Sequence, residues 1–124
     1  MKQILIVDDS NDYAEILADF LAMHDLTCYI SNSGKEAIGW LKKFSCQAIV
    51  TDILMSNGSG IDLIQWNATQ PSSVPLIAMS GTAELSRKRE ISQFCEIMGV
   101  PFLEKPVKFE ALLELLQPIT LQPV

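Results

Sequence analysis

The stretch Ala48-Ile49-Val50-Thr51-Asp52 constrains this chain most. Four residues rich in β-branched and apolar side chains run straight into a carboxylate. Within a few residues the chain turns polar and glycine-rich, at Ser56-Asn57-Gly58-Ser59-Gly60. That pattern predicts a strand buried on both faces, with Asp52 at its carboxyl end. Ligands in open parallel sheets bind at that end of the strands. Asp52 is therefore either a structural cap or the working group of a site, and the rest of the chain has to decide.

Ile4-Leu5-Ile6-Val7 is a second such run, stopped by Asp8-Asp9, with Ser10 placed to cap a following helix. Tyr13, Ile16, Leu17, Phe20 and Leu21 recur at the spacing of a helix laid against a sheet. Leu26 to Ile30 reads as a weaker strand. Ser31-Asn32-Ser33-Gly34 turns into a helix whose apolar face is Ala37, Ile38, Leu41 and Phe44. Gly60 opens a helix through about Ala68, with Ile61 and Ile64 inward, and Pro71-Ser72-Ser73 closes the connection. Pro75 to Met79 is a strand ended by Ser80-Gly81. The next helix carries Ile91, Phe94, Cys95 and Met98 inward, exposes Arg87, Lys88 and Glu90, and is capped by Gly99. Val100 to Leu103 is a short fifth strand before Glu104-Lys105-Pro106. Phe109, Leu112, Leu113 and Leu116 line a last helix, which Pro118 is expected to end.

Strands alternating with helices across short connections call for an α/β fold, a doubly wound parallel sheet with helices on both faces. Asp8, Asp9, Asp52, Ser80 and Lys105 then fall on one rim, at the carboxyl ends of separate strands. Simple capping would scatter such groups.

A chain of 124 residues is expected to form one domain over 1–120, with 121–124 a tail or the start of a linker. The net charge of −6 argues against direct contact with nucleic acid, and Arg87-Lys88-Arg89 reads as a solvated helix face. Cys28, Cys46 and Cys95 show no metal-ligand spacing and are expected as buried free thiols. His24 stands alone at a helix end, as a surface residue. No apolar run is long enough for a membrane span, so a cytoplasmic protein without membrane contact is expected.

Three carboxylates gathered at one rim repel one another, and a hard divalent cation relieves that conflict. Asp8, Asp9 and Asp52 could hold Mg2+ or Mn2+, with the Leu54 backbone carbonyl as a further oxygen. Lys105 could bind a phosphoryl oxygen and Ser80 could donate a hydrogen bond to another. These are the parts for transferring a phosphoryl group onto an aspartate. Asp8-Asp9, Asp52, Ser80-Gly81 and Lys105-Pro106, in this order and spacing, resemble the receiver domain of two-component response regulators, the CheY-like family. The resemblance covers Gln3 to about Gln117 and implies the flavodoxin-like strand order 2-1-3-4-5. It implies that Asp52 is the phosphoacceptor, served by a histidine kinase or histidine phosphotransfer protein. Asp8 and Asp9 would be metal ligands, Asp9 the more direct. Ser80 and Phe102 would be the switch residues, and Lys105-Pro106 a cis peptide. The output would pass to a downstream effector domain or target protein. The chain would be a signalling switch rather than an enzyme, with only self-catalysed phosphotransfer and slow dephosphorylation.

This chain departs from the family pattern in three places. Ser56 stands where the family commonly has proline, which suggests a more mobile loop. Leu54, two residues after Asp52, replaces a side chain that in many relatives can orient an attacking water, so a slowly hydrolysed phosphoaspartate is expected. The segment between Ser80 and Lys105 is a few residues longer than usual. Relatives pair through the fourth helix, fifth strand and fifth helix, where Phe94, Met98 and Phe109 could contribute to a homodimer, although helix–sheet packing explains them equally well. Residues near Asn11, Asp12 and Glu15 would set the choice of kinase. Two other readings stand beside this one: a docking-only receiver-like domain, and a magnesium-dependent phosphohydrolase with an aspartate nucleophile. The second lacks the acid expected two residues after Asp52.

Overall fold

The computed structural model describes residues 2–55, 60–81 and 85–120. Their order is β1 (Lys2–Val7), α1 (Asn11–Ala22), β2 (Leu26–Ser31), α2 (Gly34–Leu41), β3 (Ala48–Asp52), α3 (Gly60–Ala68), β4 (Leu76–Ser80), α4 (Leu85–Met98), β5 (Phe102–Glu104) and α5 (Phe109–Thr120). The strands form a parallel sheet in the order β2-β1-β3-β4-β5, the flavodoxin-like arrangement. The Ser56 loop and the 121–124 tail lie outside the described residues.

Successive strand residues point to opposite faces, and this splits the core in two. Ile4, Ile6, Val50, Ile77 and Met79 pack with Leu17 and Leu21 of α1 and Leu112 and Leu116 of α5. Leu5, Val7, Ile49 and Ala78 face the other way, against Leu63 and Ile64 of α3 and Ile91 and Cys95 of α4. The central strands β3 and β4 are buried along their whole length, which is why their sequences read as unbroken apolar runs. Polar ends then fall together because every strand points the same way.

Local chemistry sets the helix ends. The Ser10 hydroxyl accepts the Tyr13 N–H, and the Ser33 hydroxyl accepts the Glu36 N–H while Glu36 reaches back to the Asn32 N–H. Gly99 closes α4 with φ of 69°, a conformation costly for residues with a Cβ.

Four details differ from the sequence expectation. Ile16 is 52% exposed, because the buried stripe of α1 is Ala14, Leu17 and Leu21, centred one position away from the face read from periodicity. Phe44 is 57% exposed beyond the end of α2. Cys28 and Cys46 are half-buried rather than buried, though all three thiols are free. Pro118 lies inside α5 rather than ending it. The Thr120 hydroxyl donates to the Leu116 carbonyl in this last turn, where a missing proline N–H removes one bond at most.

Candidate phosphoryl-transfer site

Asp8 lies one residue past β1 and is fully buried. Its Oδ1 accepts the Ser10 N–H at 2.9 Å and its backbone carbonyl accepts Asn32 Nδ2 at 3.1 Å. Those bonds hold it between the starts of α1 and α2. Asp52 ends β3 and is 5% exposed. Asp9, half-buried, completes the group: one carboxylate oxygen from each of Asp8, Asp9 and Asp52 lies within 4.8 Å of the others.

Lys105 reaches this group from the end of β5. Its Nζ lies 2.6 Å from Asp8 Oδ2 and 3.1 Å from Asp52 Oδ2, and the Lys105–Pro106 peptide is cis. The Lys105 N–H donates to the Ser80 carbonyl at 2.9 Å, continuing the β4–β5 ladder up to the rim. Ser80 itself is 3% exposed, and its buried hydroxyl has no hydrogen-bond partner among the described residues. A buried hydroxyl without a partner is costly unless a ligand supplies one. Phe102, half-buried on β5, packs against the second core.

Burial pushes the Asp52 carboxyl above its ordinary value. The charge and hydrogen bond of Lys105 pull it back, and the charge of Asp8 adds to the rise. Burial alone would lower Lys105, but its bond to Asp8 and the charges of Asp52 and Asp8 outweigh that and raise it. Three carboxylates around one ammonium leave a formal charge of about −2 when all are ionised, an oxygen-rich set suited to a divalent cation. The donor chemistry therefore fits Mg2+ or Mn2+.

Residues 4–117 match the family described as the response regulator receiver domain. The chain belongs to that family. This receiver is 28% identical to a response regulator receiver protein from Pseudomonas putida, whose crystal structure superposes with a TM-score of 0.80 over 94% of this chain and 96% of that one. A CheY-like receiver domain from Methylobacillus flagellatus is 25% identical, with a TM-score of 0.82 over 96% and 98% of the two chains. The sensor histidine kinase RcsC of Salmonella typhi is 30% identical over 110 residues, 88% of this chain but 11% of its own length. The response regulator PilR of Pseudomonas aeruginosa is 29% identical over 114 residues, 92% of this chain and 25% of its own length. The receiver thus spans a minor part of these larger relatives. Receivers are signalling switches, and no helix among the described residues is long and apolar enough to cross a membrane.

Asp8, Asp9, Asp52 and Lys105 come together as read from the sequence, and Ser80 is tied to Lys105 through its backbone carbonyl. The Leu54 backbone N–H bonds the Asp52 carboxylate, whereas Phe102 packs in the second core. One participant was missed. Tyr13, taken for core packing, stacks its ring under Lys105 Nζ at 4.6 Å from the ring centre. Apolar periodicity carries no signal for that contact.

Proposed function

We propose that this receiver accepts a phosphoryl group on Asp52 from a histidine kinase or histidine phosphotransfer protein. The observation that carries the reading is the Asp52 carboxylate, held by Lys105 within a group of three acids, at a rim shared with Ser80, whose buried hydroxyl lacks a partner among the described residues. An Asp52 carboxylate oxygen attacks phosphorus, the bond from phosphorus to the donor imidazole nitrogen breaks, and that nitrogen keeps the bonding pair. Lys105 then turns from carboxylate to phosphoryl oxygen, and the Ser80 O–H donates to another. Mg2+ or Mn2+, held by Asp8, Asp9, Asp52 and the Leu54 carbonyl, would offset charge on the transferring group. Movement of Ser80 and Phe102 would carry the new state to the surface around α4 and β5, for an effector domain or a separate target.

Kinship with a sensor kinase and a response regulator supports this pairing of partners. Asn11, Asp12 and Glu15 are exposed on α1, where they could set kinase preference. We place the receiver at residues 1–120 and in the cytoplasm. Pairing through α4, β5 and α5 is open to Phe109, 38% exposed, more than to Phe94 and Met98, which pack in the second core.

The test is intact-mass measurement after incubation with acetyl phosphate and Mg2+, beside Asp52→Asn. A magnesium-dependent gain of one phosphoryl group in the parent alone supports the reading. No gain while magnesium still binds would overturn it in favour of docking only, and sustained phosphate release would point to a phosphohydrolase.

A further inference from the structure

Tyr13 sits in the first turns of α1, half-buried against the core that α1 shares with α5. Its two ends make different contacts. The ring face lies 4.6 Å from Lys105 Nζ, and the hydroxyl accepts the Val107 N–H at 2.9 Å. Val107 follows Lys105 by two residues, so one side chain holds both the ammonium and the backbone just beyond it.

We infer that Tyr13 is a positioning residue for phosphoryl transfer, which presents the Lys105 ammonium to the arriving phosphoryl group from a defined place. The inference rests on Asp52 being the phosphoacceptor. Lysine carries its charge on a flexible four-carbon stem, with much rotamer freedom to lose. In the resting state Asp8 and Asp52 restrain it, by contacts at 2.6 and 3.1 Å. Phosphorylation turns the Asp52 carboxylate into an acyl phosphate, and a cation at the acids competes for Asp8. The ring is the contact of the ammonium whose charge distribution is the same before and after transfer. Its negative face attracts the cation without offering it a proton-accepting anion. The bond from the Val107 N–H limits how far the β5–α5 connection can carry Lys105 away. Removing the ring should therefore leave Lys105 present but poorly aimed, which slows transfer rather than weakening metal binding.

The test is single-turnover phosphorylation by acetyl phosphate at saturating Mg2+ in the parent, Tyr13→Phe and Tyr13→Leu, each also in a Lys105→Met background. Tyr13→Phe keeps the ring and should stay within about threefold of the parent, whereas Tyr13→Leu should be about tenfold slower. In the Lys105→Met background Tyr13→Leu should slow transfer no further. A folded Tyr13→Leu as fast as the parent would overturn the inference. Equal slowing in both backgrounds would also overturn it, by showing a purely structural effect. Should Tyr13→Leu not fold, proton NMR of the parent decides: the Lys105 ε-methylene should be shifted upfield by the ring, and an unshifted signal sinks the idea. If the parent gains no phosphoryl group, or Asp52→Asn gains one equally, the phosphoacceptor reading falls and takes the inference with it.

Discussion

Gly60→Ala should act on the phosphoacceptor strand itself. Gly60 opens α3, is buried, and donates its N–H to the Ile53 carbonyl at 3.0 Å. A Cβ added there would lie 2.0 Å from the Asp52 carbonyl oxygen, 2.9 Å from Ile53 Cα and 3.0 Å from the Asp52 carbonyl carbon. All three are backbone atoms, so no side-chain rotation relieves the clash. Reaching even a tight contact of about 3 Å requires α3 and the end of β3 to part by roughly 1 Å, which also breaks the Gly60–Ile53 hydrogen bond. Overpacking of this kind costs about 1–3 kcal/mol, and the lost bond about 1 kcal/mol. Helix propensity returns up to about 1 kcal/mol for alanine. With the full propensity gain the net expectation is a loss of about 1–3 kcal/mol, or roughly 0.5–2 M in urea midpoint for a domain of this size. Because the displacement falls on Asp52, phosphorylation by acetyl phosphate should slow by about 10- to 100-fold. Urea denaturation followed by circular dichroism, with phosphorylation by intact mass, checks both. A variant within about 0.5 kcal/mol of the parent and equally fast would refute the close-approach argument.

Leu54→Asn supplies a polar side chain two residues after Asp52 and should speed loss of the phosphoryl group several-fold, measured as decay of intact mass; an unchanged half-life would show that Leu54 does not set the lifetime. Asp52→Asn should raise the melting temperature in the presence of a chelator at neutral pH. Burial raises Asp52 in the folded state, so its stabilising contribution exists below the ordinary carboxylate value and is lost as pH rises through the folded one; a lower melting point contradicts this. Burial lifts the Cys28 and Cys46 thiols from 9.0 to about 11. Iodoacetamide at pH 8 should therefore label both about 100-fold more slowly than a free thiol, and stability should decline between pH 9 and 11 as the unfolded thiols ionise first. Labelling at the free-thiol rate would refute it. Leu17→Ala should cost about 2–5 kcal/mol and Ile16→Ala less than about 0.5 kcal/mol, since only Leu17 is fully buried. Comparable losses in urea unfolding would show that the buried stripe of α1 is misplaced.

Short apolar runs ending in Asp8, Asp52, Ser80 and Lys105 were enough to read the parallel sheet, the strand order through the family resemblance, and the rim. The reason is periodicity: strands buried on both faces admit few polar residues, so each polar group at a strand end stands out. Helix faces were less legible. On α1 a shift of one position moves a side chain by about 100° around the axis, which is why Ile16 read as buried and is exposed. Pairwise contacts across the rim were not legible at all. Lys105 lies 97 residues from Asp8 in the chain, and its 2.6 Å contact there depends on the twist of the sheet and the reach of a flexible side chain. The same holds for Tyr13, whose apolar spacing in α1 says only that it packs. Sequence alone determined which groups meet at the carboxyl edge, because local hydrophobicity and strand direction dictate it. Tertiary structure decided which of them touch, because distance and orientation between separate elements follow from how the whole core packs.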